Sequence, residues 1–145
     1  MATIRTPASA SELLPFCARY SDPHKQTCFE TYAHLLVTAA AIGFARGGNA
    51  RGVTCRSFIN QPGPIDLAIF RSQELMPQML ILGMSCLANA DMATDENELA
   101  KLIEDLAEVG LTEMELLLQR DGPASFPWRL AEWVASPPPA DQGLI

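Results

Sequence analysis

The sequence predicts a mainly α fold: a compact helical domain of four to six helices, with a small β-hairpin or an unpaired crossing between the second and third long ones. Three observations predict it. Apolar residues recur at intervals of three and four along most of the 145 residues, and only two short runs are β-prone. Two capping boxes, Asp95-x-x-Glu98 and Thr112-x-x-Glu115, stand where late helices would begin. The composition, 48% hydrophobic and 19% charged, is that of one globular domain that can bury roughly two-thirds of its unfolded surface without disulfides or metal.

Residues 1–10 read as a flexible, polar, Pro-containing arm, and residues 11–122 as the helical domain. Ser11 offers an N-cap to a short helix through Leu13, Leu14, Phe16, Cys17 and Tyr20, confined by Pro15. Asp22 and Pro23 read as N-cap and first residue of a helix reaching Arg46, with Phe29, Tyr32, Ala33, Leu36, Ala40, Gly43 and Phe44 on one face. Gly47 and Gly48 end it. Val53 to Ile59 and Ile65 to Phe70 are the two runs that could pair as a hairpin.

A helix from Glu74 to about Asn89, apolar nearly all round, reads as buried on most sides. Asp95 opens the next, with Leu99, Leu102, Ile103 and Leu106 inward and Gly110 ending or bending it. Thr112 opens a further helix through Leu116, Leu117 and Leu118 to Arg120. Residues 123–136 form a short aromatic C-terminal helix, and residues 137–145 a disordered Pro-rich tail.

The net charge of −7 conceals two unlike halves. Residues 1–71 hold seven basic and four acidic side chains, net +3, whereas residues 72–145 hold three basic and thirteen acidic, net −10. A protein that coats nucleic acid with its whole surface is excluded, yet a local basic patch is not. Cys17, Cys28, Cys55 and Cys86 show neither a C-x-x-C pair nor zinc-finger spacing, so they read as reduced, structural thiols of a cytoplasmic protein. No apolar run approaches the roughly 20 residues of a membrane span.

Catalysis is poorly supplied. His24 and Cys28 lie four apart, the spacing a Cys-His pair on one helix face would need, but nothing orients the imidazole. No P-loop, G-x-S-x-G or H-E-x-x-H occurs. The expectation is a non-enzyme with no cofactor and no metal. Arg46, Arg51 and Arg56 surround a Gly-rich turn whose guanidinium and backbone N–H groups suit phosphate oxygens, although a solvated loop pairing with the acidic helices fits the same residues. Glu104, Asp105 and Glu108 mark an acidic face that is either solvated or a surface for a protein partner. Trp128 and Trp133 either pack on the domain itself or anchor in a partner's groove. The opposed halves also permit homo-oligomers.

Three segments carry a resemblance: Gln26 to Gly48, the run from Ile65 to Phe70, and Leu102 to Leu118. Together they resemble small proteins associated with bacterial DNA phosphorothioation (dnd) systems, in which a helix ending in an Ala-Ala-x-x-Gly-aromatic pattern leads to a basic loop and a late helix contains a Gly-Leu step. Here those features fall on Ala40, Gly43, Phe44, the loop from Arg46 to Arg56, and Gly110-Leu111. The loop is longer than the family pattern, and the late helix lacks its aromatic. The resemblance implies an accessory component of an anti-phage, DNA-modification-linked defence system, working beside larger subunits, with no catalytic residue to carry over.

Overall fold

The computed structural model describes residues 2–47, 54–87, 91 and 94–135. Five helices and one two-stranded sheet are present among them. In chain order they are β1 (Thr3–Ile4), α1 (Tyr32–Ala45), β2 (Ile65–Asp66), α2 (Leu67–Ser72), α3 (Met76–Cys86), α4 (Glu96–Asp121) and α5 (Phe126–Ala135). Single 3₁₀ turns occupy Ala8–Ala10 and Leu14–Phe16. The mainly α expectation is met.

The centre of the molecule is the packing of α1 on α4. Phe16, Leu35, Leu36, Leu67, Phe70, Met79, Leu99, Ile103, Leu106 and Phe126 fill the core around it. The two backbones approach closely at Gly43 and Gly110. A Cβ on Gly43 would overlap the Leu106 carbonyl, and one on Gly110 the Ala39 carbonyl. Each glycine therefore receives the other helix's main chain, with Ala39, Ala40 and Ala107 beside them, all buried. Gly110 does not end the helix, as expected from sequence, but lies inside a continuous run of 26 residues. A mid-helix glycine costs about 1 kcal/mol relative to alanine, and burial of Leu106, Leu111, Met114 and Leu117 along the same helix outweighs it. Thr112 is accordingly not a cap: its hydroxyl donates to the Glu108 carbonyl at 2.8 Å, within the helix. Asp95 does cap α4, accepting from the N–H groups of Asn97 and Glu98 at 3.0 and 3.3 Å.

Three other expectations are corrected. The second helix starts at Tyr32, not near Pro23, because Cys17 and Phe29 form a parallel bridge and the N–H groups of Cys28 and Phe29 both donate to the Phe16 carbonyl. With that backbone spent, Thr31 becomes the N-cap, accepting from the His34 N–H at 3.3 Å. The hairpin between residues 53 and 70 is absent among the described residues. Ile65 and Asp66 pair instead with Ile4 and Thr3, and Phe58 bridges Pro7. Asp66 then caps α2, which turns Leu67 and Phe70 inward. The arm at residues 1–10 consequently is no free arm, for Ala2, Ile4, Thr6 and Ala10 are buried. The tail at 137–145 lies outside the described residues.

The crossing yields a sharp expectation. Gly43→Ala or Gly110→Ala forces side-chain carbon into main-chain oxygen, where no rotamer gives relief, and should cost about 3 kcal/mol or more. In a domain of this size that lowers the thermal midpoint by about 10 °C, measurable by circular dichroism. A Gly63→Ala control, where a Cβ would meet only the Asn60 carbonyl at 3.9 Å and no left-handed φ is required, should lose much less.

Candidate functional site

The acidic face of α4 is turned inward on the chain's own N-terminus. Glu104, 4% exposed, accepts from the Arg5 backbone N–H at 2.7 Å and from its Nε and Nη2 at 3.1 and 3.0 Å. The Arg5 guanidinium lies 3.8 Å over the Phe58 ring. Glu108 accepts from the Ser9 hydroxyl at 3.1 Å and the Cys55 thiol at 3.4 Å. Asp105 accepts from the Cys55 N–H at 2.9 Å and from Lys101 Nζ at 3.1 Å. These are charge-assisted bonds. Glu104, Asp105 and Glu108, expected to face a partner, instead clasp residues 5–9 and the chain at Cys55. Burial and the Glu108 carboxylate push the Cys55 thiol up to about 12. Burial, then Glu12 and Glu108, raises Glu115 above the usual carboxylate range.

Arg46 is also withdrawn. It follows Gly43 by three residues, and Glu113 follows Gly110 by three, so the crossing that joins the glycines lays these two charges together. Arg46 Nε sits 3.7 Å from Glu113 Oε1, with side chains 2% and 10% exposed. The guanidinium stands 6.0 Å from the ring of Trp133. A phosphate-facing Arg46 is thereby corrected: it is structural. Arg51 lies outside the described residues. Arg56 is exposed, as are Arg19 and Lys25.

The two tryptophans divide. Trp133 packs against the core, while Trp128 is 70% exposed. Beside α5 runs a groove of about 660 Å³ between that helix, through Pro127, Leu130 and Val134, and the segment holding Cys28, Glu30 and His34. His34 is oriented there. The Thr31 hydroxyl lies 2.6 Å from Gln73 Oε1 and donates to it, so its lone pair takes the Nδ1–H of His34 at 2.8 Å. With Nδ1 so engaged, Nε2 is the ring nitrogen left for a ligand.

His24 does not pair with Cys28; its ring packs on Phe16, 4.5 Å between centroids. Burial pushes Cys28 up to about 11 and Cys17 to about 12. Neither thiol is activated. Among the described residues no cluster of three metal-ligating side chains occurs, and no helix is long and apolar enough to cross a membrane.

Sequence reasoning missed Arg5, Ser9 and Cys55 as ligands of α4, and no local pattern marks contacts of 99 and 53 residues' separation. It also missed the outward side of α3, where Ile81 and Met84 are 63% and 69% exposed. A signal existed there: Pro77, Ile81 and Met84 recur at four and three on a helix with no charged residue, which marks either a fully covered helix or a face awaiting a partner.

The clasp predicts that Glu104→Ala frees the arm. Loss of three bonds to a charged acceptor, discounted because the Arg5 side chain is half exposed, should cost about 2 kcal/mol. Trypsin should cut after Arg5 slowly in the parent chain and several-fold faster in the variant, read by mass spectrometry.

With this geometry in view, comparison with known proteins finds one family: DNA sulphur modification system-associated protein 4, matching residues 3–127. No curated protein and no solved structure matches. The matched span begins at β1 and takes in the clasped arm, α1 and its glycine crossing with α4, and ends at the start of α5. The chain therefore belongs to the family of DNA sulphur modification system-associated protein 4.

Proposed function

We propose that this chain is a non-catalytic accessory subunit of a DNA sulphur modification system, acting by contact with other proteins of that system. The observation that carries this reading is an inversion of the surface. Glu104, Asp105, Glu108 and Glu113 of α4, with Arg46, are spent inside the chain, while Ile81, Met84, Trp128 and Val134 are turned to solvent, at 55–70% exposure. Exposed large apolar groups of this kind serve protein interfaces. The thiols held high by burial favour the non-catalytic part of the reading. A role in defence against phage, inside the cell, follows from the system to which the family is tied.

A second reading has its own support. Arg19, Lys25 and Arg56 are exposed and have no ion pair among the described residues, so a weak contact with DNA phosphates through them remains consistent with the surface.

Both readings meet one experiment. The full chain, tagged at its own locus, should co-purify with other proteins of the sulphur modification system, and the association should survive 0.5 M salt (about three times physiological), because apolar contacts are not screened. The purified chain should leave a DNA duplex unretarded at low salt. Recovery of the chain alone would overturn the protein-contact reading. Retardation lost on reversing Arg19, Lys25 and Arg56 to Glu would replace it with the DNA reading.

A further inference from the structure

The helix α5 has two apolar faces, and only one is used. Phe126, Leu130 and Trp133 point toward the domain. At 3.6 residues per turn, Val134, Pro127, Ala131, Ala135 and Trp128 follow one another around the opposite side within about 120°. This arc contains no charged or polar side chain, and Trp128, Ala131, Val134 and Ala135 are all exposed. Arg129 and Glu132 fall outside it and pair with each other at 3.2 Å. Pro127, Ala131, Val134 and Ala135 of this arc, with Leu130, form one wall of the groove of about 660 Å³, and Trp128 lies on the arc outside it.

The facing wall is polar at one end. Glu30 is the one charged side chain lining the groove among the described residues, and it has no ion pair there. His34, in the first turn of α1, lines the same groove, and its Nδ1 is engaged by the Thr31 hydroxyl at 2.8 Å. A carboxylate and an imidazole on the wall opposite an apolar one select a ligand that is apolar along its length and carries a donor cation at one end. The ten residues of α5 run about 15 Å, the span of a partner helix of about three turns.

We propose that this groove receives an amphipathic helix from another protein of the DNA sulphur modification system, its apolar stripe laid along α5 and a lysine or arginine placed at Glu30 and His34. The proposal rests on the protein-contact reading and names its surface. A second copy of this chain is the poorer occupant: its own apolar helix, α5, has one cation, Arg129, which is held by Glu132 and lies 3.9 Å from Asp121. The recognition mode is helix in groove, with Pro127 and Val134 as apolar contacts and Glu30 setting polarity.

Overlapping 18-residue peptides covering the other proteins of the system, probed with the full chain and then titrated by fluorescence anisotropy, test this. Retained peptides should be amphipathic helices bearing a basic residue. Ala131→Arg and Glu30→Lys, both at exposed positions, should each weaken binding about tenfold or more, and Glu30→Lys should recover affinity for a peptide whose basic residue is changed to Glu. Unchanged binding by both variants would overturn the groove. So would the absence of any retained peptide while intact proteins still co-purify, an outcome that leaves the protein-contact reading standing. A dimer of the chain broken by Ala131→Arg would assign the groove to a second copy and overturn the proposal. Loss of all co-purification by the parent chain would remove the broader reading and the groove with it.

Discussion

Everything in this molecule hangs on two helices meeting main chain to main chain. At Gly43 and Gly110 neither helix has a side chain between itself and its neighbour's carbonyl oxygen. Close approach of this kind gains dispersion contact along both helices and admits one register only, since sliding either helix by a turn would drive Ala39 or Leu106 side chains into backbone. The register then dictates the partners further along. Three residues on from each glycine, Arg46 meets Glu113. On the N-terminal side of Gly110, Glu104 and Glu108 are carried beneath the arm that α4 supports.

The consequence for function is that Arg46, Glu104 and Glu113, the buried charges among the described residues, are architecture. Arg46 meets Glu113, and Arg5 meets Glu104, across long separations in the chain. Buried pairs of this sort add little net stability compared with apolar packing, but they penalise any alternative register that would leave one charge buried alone. The outer sides of α3 and α5 turn large apolar side chains to solvent. The family match spans the clasp and the crossing and ends at residue 127, before most of the apolar wall that α5 contributes to the groove.

The sequence was most legible where helix rules act locally. The Asp95 N-cap, the inward stripe of Leu99, Leu102, Ile103 and Leu106, and the long helix ending near Arg46 all stand in the structure, whereas among the described residues no bond from the Glu98 side chain closes the expected capping box. Legibility failed where a residue's meaning depends on a distant partner. Gly110 reads locally as a helix stop, and only the carbonyl of Ala39 across the crossing explains why the helix runs through it. The arm reads as mobile because its pairing with Ile65 and Asp66 and its clasp by Glu104 lie far away in sequence. Of the candidate site, Trp128, read as packed on the domain or anchored in a partner, is exposed; Arg46, read as facing phosphate or pairing with the acidic helices, is buried beside Glu113. The Gly43 and Gly110-Leu111 pattern that carried the family resemblance is the crossing itself, which is why a loosely specified motif pointed to the right family.

A double-mutant cycle on Arg46→Met and Glu113→Gln, followed by urea unfolding, measures the consequence of the crossing most directly. If the glycine register places the two charges together out of water, their coupling energy is about 1 kcal/mol or more, each single variant is more destabilising than its share of the double, and the slope of unfolding with urea is unchanged. A coupling within about 0.3 kcal/mol of zero, with Arg46→Met costing little, would place Arg46 in solvent and contradict the crossing as the origin of this fold's charge layout.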